Sequence, residues 1–131
     1  MTSLTLTIRG EPASKANARR AVIHPTGRLM WIKSEKALKY LKHFRPQVLA
    51  QLTPPLEPLT GALSFTATIY YKTERPDLDA SLILDALEGL AYKNDRQVRE
   101  IHLYHRIDKQ DPRAEITIAP IAGPLFQEAV E

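Results

Sequence analysis

From Ser3 to Arg9 apolar and polar residues alternate, which predicts a strand with one buried face. Gly10 and Pro12 end it. The stretch from Gly10 to Arg20 has no periodicity and reads as a loop. Ala21 to His24 and Arg28 to Ile32 then flank Pro25-Thr26-Gly27, a hairpin signal. Ser34 is an expected helix N-cap, with Glu35 in the first turn where the helix dipole favours an acid. Leu38, Leu41, Phe44, Val48 and Leu52 follow at spacings of three and four, so a helix with that apolar stripe is expected. Pro46 lies inside it and should kink or divide it. Thr53 to Pro58 reads as a connector.

Gly61 to Lys72 is a second clear strand, with Leu63, Phe65, Ala67, Ile69 and Tyr71 on one face. A short helix is expected from about Ala80 to Leu90, burying Leu82, Leu84, Leu87 and Leu90. Val98 to Ile107 alternates again, and Arg113 to Ala119 is a last strand. The elements predict an α/β fold: a single domain, a mixed and mostly antiparallel sheet, and two main helices. We expect the domain to cover residues 1–119, with 120–131 as a C-terminal tail.

Charge changes the picture when it is divided. The chain of 131 residues carries a net +3, but residues 1–50 hold ten Lys/Arg against two acids, or +8, and the remainder is −5. A basic half joined to an acidic half suggests nucleic acid on one side and a cation on the other. The plainer interpretation is a solvated basic face. No cysteine is present, which excludes a disulfide framework and thiolate metal sites. No apolar run is long enough to span a bilayer, and no secretory apolar segment opens the chain. A cytoplasmic location is therefore expected.

Candidate chemistry lies in two short acidic stretches, Arg75-Pro76-Asp77-Leu78-Asp79 and Tyr92-Lys93-Asn94-Asp95. Pro76 favours extended backbone before it, so Asp77 and Asp79 can point the same way. Two carboxylates held close repel, and a bound cation relieves the repulsion. If the helix between the stretches folds back over its own ends, Asp95 joins them. Mg²⁺ sites are commonly built from few carboxylates plus waters and substrate phosphates. The plainer alternative makes Asp79 a helix N-cap, Asp77 a solvated side chain and Asp95 a turn residue. The four histidines form no ligand set. Trp31 and Tyr104 can stack on bases, although burial is the expected fate of a strand tryptophan.

Gly10-Glu11-Pro12 with Lys15, Arg75-Pro76-Asp77-Leu78-Asp79, the run from Asp85 to Val98, and Pro112-Arg113-Ala114-Glu115-Ile116 together resemble RusA-type Holliday junction resolvases. The resemblance covers most of residues 3–119 and is most specific in its middle. It implies a homodimeric, Mg²⁺-dependent endonuclease, with Mn²⁺ as a possible substitute, of a kind often carried by prophages. Such an enzyme nicks four-way DNA junctions symmetrically. By position, Asp77, Asp79 and Asp95 match the family's metal-site aspartates. Ala80 and Ile83 stand where the family pattern has Asn and Lys, and Asn94 replaces the first acid of an Asp-Asp pair. Asp79 to Asp85 is also two residues shorter than that pattern.

These observations give an expectation of metal-assisted junction cleavage by Asp77, Asp79 and Asp95. Lys93 is the first candidate for the missing lysine, with Lys72 and Lys15 behind it. Lys15, Arg19, Arg20, Arg28, Lys36, Lys39, Lys42 and Arg75 are the expected phosphate contacts. The rival expectations are a branched-DNA-binding protein that does not cut, and a Mg²⁺-dependent nuclease acting on flaps or other branched DNA.

Overall fold

The computed structural model describes residues 3–14, 19–52 and 57–121. Four strands make the main sheet: β1 (Leu4–Arg9), β4 (Leu63–Tyr71), β5 (Val98–Ile107) and β6 (Arg113–Pro120). Their order is β1-β6-β4-β5. β1 and β4 both run antiparallel to β6, whereas β4 and β5 are parallel. β2 (Arg19–Ile23) and β3 (Leu29–Lys33) form a separate two-stranded ribbon. The expected α/β class, with a mixed and mostly antiparallel sheet and two helices, is what forms.

β4 is the centre of the core. Its alternation is complete: Leu63, Phe65, Ala67, Ile69 and Tyr71 are all buried. Leu6 and Ile8 of β1 and Ala114, Ile116 and Ile118 of β6 continue the same buried layer. Helices α1 (Glu35–Gln51) and α2 (Ser81–Leu87) contribute further buried side chains to this core.

Ser34 caps α1 as expected, its Oγ accepting from Ala37 N at 3.2 Å. The buried face, however, is Ala37, Tyr40, Phe44 and Val48, and Leu38 is 52% exposed. The stripe is thus rotated by one residue over the first turns, because Tyr40 fills the core position assigned to Leu41. Pro46 does not divide the helix. Beyond it, Gln47 and Gln51 each clasp the backbone of the outer strand β1. Gln51 accepts from Thr7 N and donates to Thr7 O, at 2.8 and 2.7 Å, and Gln47 does the same with Arg9 at 2.7 and 3.2 Å. These clasps satisfy edge groups that would otherwise invite pairing with another chain.

α2 is shorter than expected. It ends at Leu87, and the chain turns through Gly89, whose φ of 88° is a conformation few other residues accept. Its core residues are Leu82, Ile83 and Leu87, joined by Leu90, with Leu84 half-buried. At the other end, β6 runs through Pro120, and Ile121 N donates to Ala62 O at 2.9 Å. The folded body therefore reaches into the expected tail, and residues 122–131 lie outside the described residues. Among the described residues no helix is long and apolar enough to cross a membrane.

Candidate nuclease site

The first acidic stretch is hung on the end of β4. The Tyr71 ring is buried in the core, and its hydroxyl donates to Asp77 O at 3.1 Å and accepts from Asp79 N at 3.4 Å. His105 of β5 stacks on that ring with centroids 4.5 Å apart, and its Nε2 lies 3.0 Å from Pro76 O. A carbonyl oxygen only accepts, so this nitrogen carries the hydrogen. Asp79 Oδ1 accepts from Ser81 N at 2.9 Å and Ser81 Oγ at 2.6 Å, fastening the segment to the start of α2. Ala80 occupies the N-cap position without a side-chain bond, so Asp79 acts one residue earlier than an ordinary cap. Among the described residues no hydrogen bond or ion pair engages the exposed Asp77 carboxylate.

Glu11, part of the Gly10-Glu11-Pro12 segment, joins this group, a role that the sequence pattern did not assign to it. Its Oε1 lies 2.9 Å from Lys36 Nζ, and its Oε2 accepts from Lys72 N at 2.8 Å. Burial alone would raise the Glu11 pKa. The Lys72 N–H and the Lys36 ammonium outweigh it, and the pKa falls below its ordinary 4.5. The Tyr71 hydroxyl is held protonated, first by burial and then by the fields of Asp79, Glu11 and Asp77. Three carboxylates therefore act on one phenol. Beside Glu11 and Lys72 opens a cleft of about 750 Å³, whose charged and imidazole side chains are Arg9, Glu11, Lys36, Lys39, His43, Lys72 and Asp111. Five of these seven side chains are basic, which suits a phosphate.

Asp95 lies elsewhere. It opens a 3₁₀ turn (Asp95–Gln97) whose capping box is made by Asn94 and Gln97. Gln97 Oε1 accepts from Lys93 N and Asn94 N, both at 3.0 Å, while its Nε2 donates to Leu59 O and Gly61 O. Asp95 N donates to Glu88 Oε2 at 2.8 Å. The buried Tyr92 donates to Leu84 O at 2.6 Å, and its pKa is raised by burial and then by Asp95, Glu88 and Asp85. Lys93 is exposed beside Pro58, Gly61 and Gln97.

The expectation that three carboxylates meet is corrected by topology. β4 and β5 are parallel, with Leu63 opposite Val98 and Tyr71 opposite Ile107. Asp77 and Asp79 hang at the Tyr71 end, and Asp95 precedes the Val98 end. Eight residue steps of strand separate the two ends, roughly 26 Å at 3.3 Å per residue. Among the described residues no three Asp, Glu or His side chains gather as a metal-binding group.

The expected phosphate contacts are spread over several elements. Arg19, Arg20 and Arg28 are exposed on the β2–β3 ribbon. Lys36 and Lys39 line the cleft, and Lys42 is exposed on α1. Arg75 is exposed beside Asp77, its N donating to Thr73 Oγ1. Lys15 lies outside the described residues. Trp31, expected in the core, is 65% exposed, because the ribbon that carries it stands apart from the main sheet.

A basic chain with hard carboxylates set beside a lysine-lined cleft has the equipment of a phosphodiesterase. Residues 10–119 match the family described as Endodeoxyribonuclease RusA, and the chain belongs to that family. It is thereby an endodeoxyribonuclease of the kind that resolves Holliday junctions, a nuclease class that is typically metal-dependent and takes branched DNA as substrate. No curated protein matches the chain.

Proposed function

We propose that the chain cuts four-way DNA junctions with Mg²⁺, held by Asp77 and Asp79 and completed by Asp95. The observation that carries this reading is the anchored pair of carboxylates at the end of β4 beside the lysine-lined cleft. The donors fit the ion: they are hard oxygens, Asp77 is exposed, and one or two carboxylates commonly suffice when phosphate and water supply the rest. When bound, Mg²⁺ supplies electrophilic stabilisation of the charge on the phosphate undergoing displacement.

The chain's own residues do the rest. Tyr71 and Ser81 hold the acidic segment in one shape, so little reorganisation is needed on binding. Lys36, Lys39 and Lys72 draw the DNA backbone into the cleft. Ile83, at the place of the family's lysine, is fully buried in the core and leaves that role to another cation. Lys72 lies on the Asp77 side, and Lys93 lies on the Asp95 side.

The site is finished by a second copy. β5 is an outer strand whose far edge pairs with nothing among the described residues, and Ile101, Tyr104 and Ile107 are exposed on it. Two β5 edges related by a two-fold axis pair antiparallel. With the axis through Leu103, Glu100 faces the partner's Arg106. That arrangement carries the Asp95 end of one protomer toward the Asp77 end of the other, and a homodimer then has two sites for two opposing strands. Acting on DNA, the dimer belongs in the cytoplasm.

The buried Ile83 also favours a second reading, a junction-binding protein that does not cut. Labelled four-way, flap and duplex DNA, each with Mg²⁺ and with EDTA, separate the possibilities. Mg²⁺-dependent paired nicks in the four-way substrate support the proposal. Tight binding without nicks supports the second reading, and preferential flap cleavage contradicts both.

A further inference from the structure

The β2–β3 ribbon exposes an apolar face that none of the other described residues covers. Residues directly opposite in an antiparallel pair share a face. Ala21 opposes Trp31 and Ile23 opposes Leu29, so these four lie together, with Arg19 and Lys33 at the base. Ile23 is 76%, Leu29 64% and Trp31 65% exposed. On the other face Val22 and Ile32 are half-buried, while Arg20 and Met30 are exposed. An isolated two-stranded ribbon is marginally stable, and exposed apolar clusters mark contact surfaces. The tip is closed by its own bonds. His24 N donates to Arg28 O and Gly27 N to His24 O, at 2.8 and 2.7 Å, and His24 Nδ1 accepts from Thr26 N at 3.2 Å.

Charge selects the occupant. Between Arg19 and Lys33 the chain has four Arg/Lys and no acid. A second copy laid face to face would oppose like charges, whereas DNA supplies phosphates to the cations and bases to the apolar face. We infer that the ribbon is a branch-point reader: Trp31, flanked by Ile23 and Leu29, stacks on a base exposed where DNA arms diverge. This rests on the proposal that branched DNA is the substrate and deepens it. Apolar wedges beside basic residues are a known way to occupy disrupted base steps. In a continuous duplex every base is stacked on both sides, and extruding one costs a few kcal/mol. The ribbon therefore favours branched over continuous DNA.

Trp31 is the single tryptophan of the chain, so its emission reports this contact directly. The full-length chain is titrated in EDTA with a four-way junction and with a duplex of the same arm sequence. The inference predicts strong quenching by the junction and little by the duplex. Trp31→Ala should weaken junction binding about tenfold, measured with labelled DNA, while Trp31→Phe retains most of it. Unchanged emission on a bound junction, or wild-type junction affinity in Trp31→Ala, overturns the inference and leaves the nuclease proposal standing. Dissociation of a dimer by Trp31→Ala also overturns it, by showing that the face binds protein. If the chain binds a junction no better than a duplex, the substrate reading fails and the inference falls with it.

Discussion

Asp77 and Asp79 do different work although they are two residues apart. Asp79 has one oxygen committed to Ser81, while the Asp77 carboxylate is exposed. Asparagine keeps the shape and the Oδ1 acceptor but is a poor ligand for a hard cation. Asp77→Asn, Asp79→Asn and Asp95→Asn should each lower single-turnover junction cleavage by about two orders of magnitude or more, about 3 kcal/mol of transition-state stabilisation. Junction affinity in EDTA should hold or rise, since a negative charge near DNA is removed. Rapid nicking by one of these variants would remove that residue from the site.

Glu11 makes a second prediction at this scale. Its folded pKa lies below its ordinary value, so the stability it contributes is present above pH 4.5 and is lost as pH falls through the folded value. Glu11→Gln should lower stability at pH 7 by roughly 1 kcal/mol, modest because Lys36 is half-exposed. In urea denaturation the difference from wild type should shrink as the pH is lowered below 4.5. A difference that stays constant down to acid pH would show that the charge contributes nothing. The contacts of Glu11 were illegible in the sequence because its partners lie 25 and 61 residues away.

At the scale of elements, the main strands were legible. The alternation of Leu63 to Tyr71 is complete, and a period of two admits no other regular element. The face of α1 was misjudged because Leu38 and Tyr40 are both apolar, and local pattern does not say which one meets the sheet. The ribbon was found by its Pro-Thr-Gly turn, but alternation does not tell a buried strand from a projecting one, so Trp31 was misplaced. Gln47 and Gln51 were invisible as structural residues, since exposed glutamines on a helix carry no signal of the strand they hold. Replacing both with Ala removes four bonds to the β1 edge and should cost roughly 2 kcal/mol in urea denaturation. A variant as stable as wild type would show that water replaces those bonds at no cost.

For the whole molecule, the decisive fact is the direction of β5. Parallel pairing with β4 is not written in either strand's pattern, and it places Asp95 at the far end from Asp77 and Asp79. Gathering the three aspartates into one site in a single chain therefore looked reasonable from sequence and is not how the protomer folds. If two β5 edges pair through Leu103, Glu100→Arg and Arg106→Glu should each weaken the dimer, since each sets like charges face to face. The double variant should restore it in sedimentation velocity. Two single variants that remain dimeric would place the interface elsewhere.

The most direct measurement mixes inactive proteins. Asp77→Asn and Asp95→Asn are purified separately, shown to be inactive, then combined under conditions that exchange subunits and assayed on a labelled four-way junction with Mg²⁺. If Asp95 completes its partner's site, each heterodimer has one site carrying both changes and one carrying neither. The account predicts that mixing restores nicking, one strand per binding event. If each site is built within one protomer, every protomer in the mixture remains defective, and absence of cleavage in a mixture shown to contain heterodimers would contradict the account.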